Sequence, residues 1–290
     1  MDNEFGKTFH EIRLSKRLSM DKVGGKEVSK AQISRFEAGI SELTIEKFFI
    51  LLENMRVGID EFESILEDYT LSNEYKFRQE LIMAYDAKDA HKLRKMYLEC
   101  EEKIKKEPDV IYHQLTATVV KVTLNLVVKN LRFSSKEIGQ IQEYLLSVDN
   151  WGRYEFWVFG NTVTILKDSI LRLLGTAALG KTEFYQILPN NRRLAIRTFY
   201  NLAYIALERG NLELSLKYIK HLDNMDISID YLYEKLLIKY IKGWYAHKKG
   251  LPRGSKEMLE CVEMLEELGC SDKARELREE IASILHFSDM

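Results

Sequence analysis

Apolar residues recur every three or four positions along almost the whole chain, the spacing of helices that each bury one face. Phe5, Phe9 and Ile12 set the first such stripe, over residues 4 to 17. Ser19 is placed to cap a short second helix, Met20 to Lys26, and Ser29 caps a third whose apolar face is Ile33 and Phe36. Thr44 starts a fourth, with Phe48, Phe49, Leu51 and Leu52, and Asp60 opens a fifth, Glu61 to Leu66. The tight turn between the second and third suits a helix-turn-helix. From Leu71 onward the pattern predicts helices over 73–87, 90–106, 109–129, 134–147, 151–173, 190–209, 211–223, 229–248, 255–268 and 271–286. Val119, Val120, Val122, Val127 and Val128 have strand chemistry, but the run is too long and lacks a turn partner, so it reads as helix.

The chain has 290 residues, 46% of them apolar, and only three prolines, which fits long helices with short connections. The expected architecture is all-α in two domains, residues 1–67 and 68–290. Net charge is −2, so overall charge points to no partner. Cys100, Cys261 and Cys270 lack ligand spacing and read as reduced thiols of a cytoplasmic protein. Met1 to Arg17 has no apolar segment of the kind a signal peptide needs, and no run approaches membrane-spanning length.

Charge is uneven at the N-terminus. Residues 1–66 are slightly acidic, but residues 7–35 hold eight Lys and Arg against three acids, a local excess of +5. Basic charge gathers on the first three helices and acids on the next two, the distribution of a phosphate footprint. Within it, Ser29 to Gly39 is a short helix, apolar on one side and carrying Lys30, Gln32, Ser34 and Arg35 on the other. Such a helix can lie in a DNA major groove; the plainer reading is a solvated surface helix.

Residues 4 to 66 resemble the Cro/repressor-type helix-turn-helix, through Ile12-Arg13, Leu18-Ser19, and Ser29 to Gly39 with Ile33, Glu37 and Gly39 in place. Gly24-Gly25 departs from the alanine-containing turn usual there. The resemblance implies that Arg13 pairs with Glu37, and that Lys30, Ala31, Ser34 and Arg35 face base edges while Ser29 and Gln32 meet phosphate. Arg35 ranks first, since Arg on guanine is the commonest specific contact. Arg13, Lys16 and Arg17 complete the candidate DNA-binding set.

Further on, Gly and Asn punctuate a repeat. Asn201-Leu202-Ala203-Tyr204 leads through Gly210-Asn211 to Leu216 and Tyr218; Ile241-Lys242-Gly243-Trp244 leads through Gly250 to Met258 and Leu259. Ala203 and Gly243 share a register, as do Gly210 and Gly250, with Leu251 to Gly254 an inserted turn and Ala87 to Ala90 a candidate for an earlier one. This resembles degenerate tetratricopeptide repeats, whose helix pairs stack into a right-handed superhelix with a concave surface. The resemblance implies that Asn201 grips an extended peptide, against an amide bonded within the repeat. Arg153 can meet a peptide carboxylate, against a solvated charge at a helix start. Asn161, Tyr204 and Trp244 complete the candidate peptide-binding set. Trp151, Phe156, Trp157 and Phe159 read as core, and Tyr240, Trp244 and Tyr245 carry the same alternative.

The whole arrangement is similar to the Rgg/MutR group of regulators, through the Ser29 to Glu37 segment, Ser147-Val148-Asp149-Asn150-Trp151-Gly152 with Tyr154-Glu155, and Gly243-Trp244-Tyr245 with Lys248 and Gly250. The resemblance implies a cytoplasmic homodimer built through the C-terminal repeats, with exchanged DNA domains. It would bind an inverted repeat in promoter DNA under control of a short hydrophobic peptide pheromone, in quorum sensing. Some members join their DNA domains through a cysteine where this chain has Ile45, so no redox-locked dimer is expected. The competing class is a repeat-based adaptor or phosphatase inhibitor without sequence-specific DNA binding. No phosphate-cradling glycine loop, paired-histidine metal site or nucleophile signature appears, so no enzyme activity and no cofactor are expected. His221 and Asp223 read as solvated.

Overall fold

In a computed structural model, the protein is described over residues 4–66, 73–181 and 189–286. Among these residues every regular element is helical, and the chain divides into two compact units, Met1–Met83 and Ala84–Met290. The expected boundary at 67/68 lies outside the described residues; the division falls within α6 (Asn73–Asp86).

The first unit holds α1 (Glu4–Ser15), α2 (Met20–Gly24), α3 (Lys30–Glu37), α4 (Ile45–Met55) and α5 (Ile59–Leu66). Their apolar stripes meet in one core of Phe9, Ile12, Val23, Val28, Ile33, Phe36, Leu51, Leu52, Met55, Val57 and Phe62. Phe36, Phe48 and Phe62 pack edge to face in sequence through it. Ser19, Ser29 and Thr44 each accept from a backbone N–H one turn on, as their positions predict. α2 ends at Gly24, two residues before the expected Lys26. Gly25 takes φ 57°, and a Cβ on Gly24 would come within 3.2 Å of the Ile33 side chain. The double glycine therefore lets the turn reverse while α3 stays close.

The second unit continues with α7 (Ala90–Lys106), α8 (Ile111–Val128), α9 (Ser135–Ser147), α10 (Arg153–Thr162), α11 (Asp168–Lys181), α12 (Pro189–Glu208), α13 (Leu212–Asn224), α14 (Leu232–Lys248), α15 (Arg253–Glu267) and α16 (Ser271–His286). The valine run is helical, within α8. α7 pairs with α8, α12 with α13, and α14 with α15, while α8, α10, α12 and α14 pack successively against one another. The repeat register appears in the turns. After α6, α12, α14 and α15, a residue with positive φ (Lys88, Gly210, Gly250, Gly269) is followed by an N–H that bonds back five residues, to Ala84, Ala206, Ala246 and Leu265.

Three expectations need correction. The helix expected over 151–173 breaks: α10 ends at Thr162, a 3-10 turn covers Val163–Ile165, and α11 begins at Asp168. The cause lies just past α12, where Arg209 donates to the carbonyls of Thr164 and Leu166 and to the Asp168 carboxylate. The inserted turn is shorter than Leu251 to Gly254, because α15 already includes Arg253 and Gly254. A Cβ on Gly254 would lie 2.2 Å from the His247 backbone nitrogen, so the glycine is what lets α15 touch α14. Finally, His221 is half-buried, edge to face with Phe199 at 4.4 Å, and burial lowers its pKa; Asp223 stays exposed, as expected, and pairs with Lys242 at 2.8 Å.

Candidate functional site

In the first unit, α3 is fixed at both ends. At its start Ser29 and Gln32 form a reciprocal capping box: Ser29 Oγ accepts from the Gln32 N–H, and Gln32 Oε1 accepts from the Ser29 N–H at 3.2 Å. Both candidate phosphate ligands thus also close the helix. At its end, Glu37 is clasped by α1. Arg13 Nε donates to Glu37 Oε1 at 2.6 Å and a terminal guanidinium nitrogen to Oε2 at 2.8 Å, while the other reaches the Leu18 carbonyl at 2.8 Å. His10 Nδ1 lies 2.5 Å from the same Oε2. Burial acts to raise the Glu37 pKa, but hydrogen bonds and charge from Arg13 and His10 outweigh it and hold the carboxyl below its ordinary range.

This corrects one candidate. Arg13 is only 5% exposed and its fork is bonded to Glu37 and Leu18, so it positions α3 instead of reaching phosphate. Lys30, Ala31, Ser34 and Arg35 are exposed on the opposite side of α3 from the buried Ile33 and Phe36, as a groove-reading face requires. Lys16 and Arg17, at the end of α1, are exposed too, with Lys16 within 3.4 Å of the Arg56 carbonyl.

In the second unit the candidates divide. Arg153 is exposed at the first residue of α10, and Asn161, near the other end of the same helix, is exposed with its amide donating to the Trp157 carbonyl at 2.7 Å. They lie roughly 12 Å apart along the helix axis. Asn201 is half-buried and donates to the Gly160 carbonyl at 3.1 Å, stitching α12 to α10. Thr198 makes a second stitch, to the Phe156 carbonyl, where a Cβ on Gly160 would clash at 2.8 Å with the Thr198 hydroxyl. Tyr204 and Trp244 meet edge to face at 5.0 Å, with Tyr204 half-buried and Trp244 only 4% exposed.

Two constellations escaped the sequence reading. Glu234, 2% exposed, accepts from Arg197 and lies 3.4 Å from Arg193, and these two arginines face the rings of Tyr231 and Tyr233. Glu280 of α16 accepts from the Tyr240 hydroxyl at 2.9 Å, with Tyr204 beside the same carboxylate. The hydrogen-bonded pairs Arg197–Glu234 and Tyr240–Glu280 lie 37 and 40 residues apart, so no local motif marks them. Among the described residues, no helix is long and apolar enough to cross a membrane.

Residues 93–279 match the family model for the C-terminal domain of the HTH-type transcriptional regulator Rgg. Solved structures align with the chain over nearly its whole length. The Streptococcus dysgalactiae SHP pheromone receptor Rgg2, as a cysteine-to-serine variant, is 25% identical, covers 96% of this chain and 98% of its own, and superposes with a TM-score of 0.79. A candidate transcriptional regulator from Listeria monocytogenes EGD-e superposes at 0.85 over 99% of both chains, with 18% identity, and PrgX in complex with cCF10 superposes at 0.73 over 98% of this chain and 92% of its own, with 15% identity. A helix-turn-helix unit followed by stacked helix pairs that carry this family signature over most of their length leaves one assignment: the chain belongs to the Rgg family of helix-turn-helix transcriptional regulators.

Proposed function

We propose that the protein is a cytoplasmic, DNA-binding regulator of quorum sensing that acts as a homodimer on an inverted repeat in promoter DNA. A short hydrophobic peptide pheromone in the helical repeats controls it. The observation that carries the DNA reading is α3 itself. Arg13, His10 and Glu37 lock one end, the capping box closes the other, and Lys30, Ala31, Ser34 and Arg35 are left on its exposed side. A rigid helix loses little on docking, so its polar face can read base edges, Arg35 foremost. Lys16 and Arg17, with the α3 start at Ser29 and Gln32, supply phosphate contacts. The unit within residues 1–67 selects the site, and residues 68–290 hold the peptide and the dimer contacts.

The peptide reading draws support from the relationship to Rgg2, a pheromone receptor. Arg153 and Asn161 on α10, and Asn201 and Tyr204 on α12, are its candidate contacts; Trp244 acts from beneath Tyr204. A peptide regulates only by binding two states differently.

The test separates the two functions. Arg35→Ala should weaken binding to the promoter, losing about 1–3 kcal/mol of discrimination, while leaving peptide affinity unchanged in fluorescence polarisation. Unaltered promoter affinity and sequence preference would remove Arg35 from its role. Absent or salt-insensitive DNA binding by the parent protein would favour the adaptor class.

A further inference from the structure

Where α12, α14 and α16 converge, aromatic side chains gather around one carboxylate. Tyr240 donates to Glu280 at 2.9 Å, and Tyr204 stands beside the same carboxylate. Tyr200 and Tyr204 lie 6.1 Å apart, and Trp244 stands edge to face against Tyr204. Tyr240 and Trp244 are buried, whereas Tyr200, Tyr204 and Glu280 each keep some surface in solvent. The cluster is therefore built like a floor with an open side. The charges that act on it are mostly negative: Glu208, Glu276 and Glu280, opposed by Lys273, which is held by Glu276 at 2.9 Å. The Trp244 indole N–H is buried and has no hydrogen-bond partner among the described residues.

We infer that this cluster receives a primary ammonium group of the peptide effector, with the Glu280 carboxylate as counter-ion and the Tyr200 and Tyr204 rings as its walls. The site rests on the peptide-binding reading above and names a chemical feature of that ligand. A carboxylate has room for about four hydrogen bonds, so the Tyr240 hydroxyl leaves acceptor positions for an ammonium. Tyrosine faces attract a cation through their ring quadrupoles, more strongly where water is partly excluded. Burial pushes the Glu280 pKa above the ordinary carboxylate range, against the Tyr240 hydrogen bond and Lys273, which lower it. A bound ammonium relieves that penalty. The ammonium can come from the free amino end or from a lysine side chain.

The experiment uses the full chain and a library of eight-residue peptides built from Leu, Ile, Val, Phe and Gly, each labelled with fluorescein on one internal cysteine side chain so that the C-terminal carboxylate stays free for Arg153. Each is made with a free or acetylated amino end, and again in acetylated form with one internal lysine or norleucine. Fluorescence polarisation reads affinity. A loss of tenfold or more on acetylation assigns the amino end. The same loss on replacing lysine by norleucine assigns the side chain. In Glu280→Gln, which keeps an acceptor for the Tyr240 hydroxyl, that discrimination should shrink to less than twofold, with the melting temperature checked alongside. Peptides that bind equally with and without an ammonium overturn this site and leave the peptide reading standing. Failure of every library member to bind removes both.

Discussion

Removing the Glu37 carboxylate should undo the placement of α3 more than any surface change nearby. In Glu37→Ala the Arg13 guanidinium keeps its position, its side chain 6% exposed, but retains only the Leu18 carbonyl and His10 for company. Breaking a buried pair by deleting one partner costs about 3–5 kcal/mol, because the surviving charge stays out of water. For a unit this small, each kcal/mol shifts the melting temperature by roughly 4–8 °C, so the loss should be roughly 12 °C or more. Trp151, Trp157 and Trp244 all belong to the second unit, so tryptophan fluorescence monitors that unit and serves as the internal control. Hydrogen exchange by mass spectrometry on peptides from α1 and α3 reports the first unit. Protection there should collapse while the fluorescence transition stays put. The pH dependence has a definite sign. Glu37 titrates lower in the folded protein than in the unfolded chain, so its contribution is complete above the ordinary carboxylate range and is lost as pH falls through the folded value. Glu37→Gln should therefore flatten the acid limb of the stability curve. A fall in protection worth less than about 1 kcal/mol, roughly a fivefold change in opening, would refute the clasp.

Two further outcomes follow from the second unit. Gly254→Ala should destabilise it severely, since the new methyl would meet backbone atoms of His247 and Gly243, whereas Gly210→Ala, with φ 75° and open space around it, should cost only about 1 kcal/mol; urea titration followed by tryptophan fluorescence orders the two. Cys270 is exposed and should alkylate at pH 8, while Cys100 and Cys261, buried with thiols pushed up to about 11, should stay unmodified in intact-mass measurements.

Local signals carried much of this architecture. Serine and threonine caps, three-and-four spacing and the Gly210 and Gly250 turns each act within one or two turns of helix, so they could be read from the chain itself. The Arg13–Glu37 pair spans 24 residues and was legible only because a known motif supplied the partner. What escaped depends on contacts between repeats. Nothing within residues 151–173 announces a break; the guanidinium that captures the Thr164 and Leu166 carbonyls sits more than forty residues away. Asn201 was open between a ligand grip and an internal bond, and its amide holds Gly160. Glu280 carried no sign of its tyrosines, because α16 reads as an ordinary amphipathic helix.

Among the described residues, the bonds from side chains to backbone carbonyls between repeats share a direction. Thr198 donates to Phe156, Asn201 to Gly160, Arg209 to Leu166 and Tyr218 to Leu171: each time a side chain from later in the chain caps a backbone carbonyl from earlier. On a ribosome the carbonyls emerge first, and water can serve them while they wait. Each donor then arrives about forty residues later and finds its acceptor already displayed on a formed helix. These backbone-directed stitches can thus form in the order of synthesis, whereas the carboxylate partners of Arg197 and Tyr240 are translated after their donors.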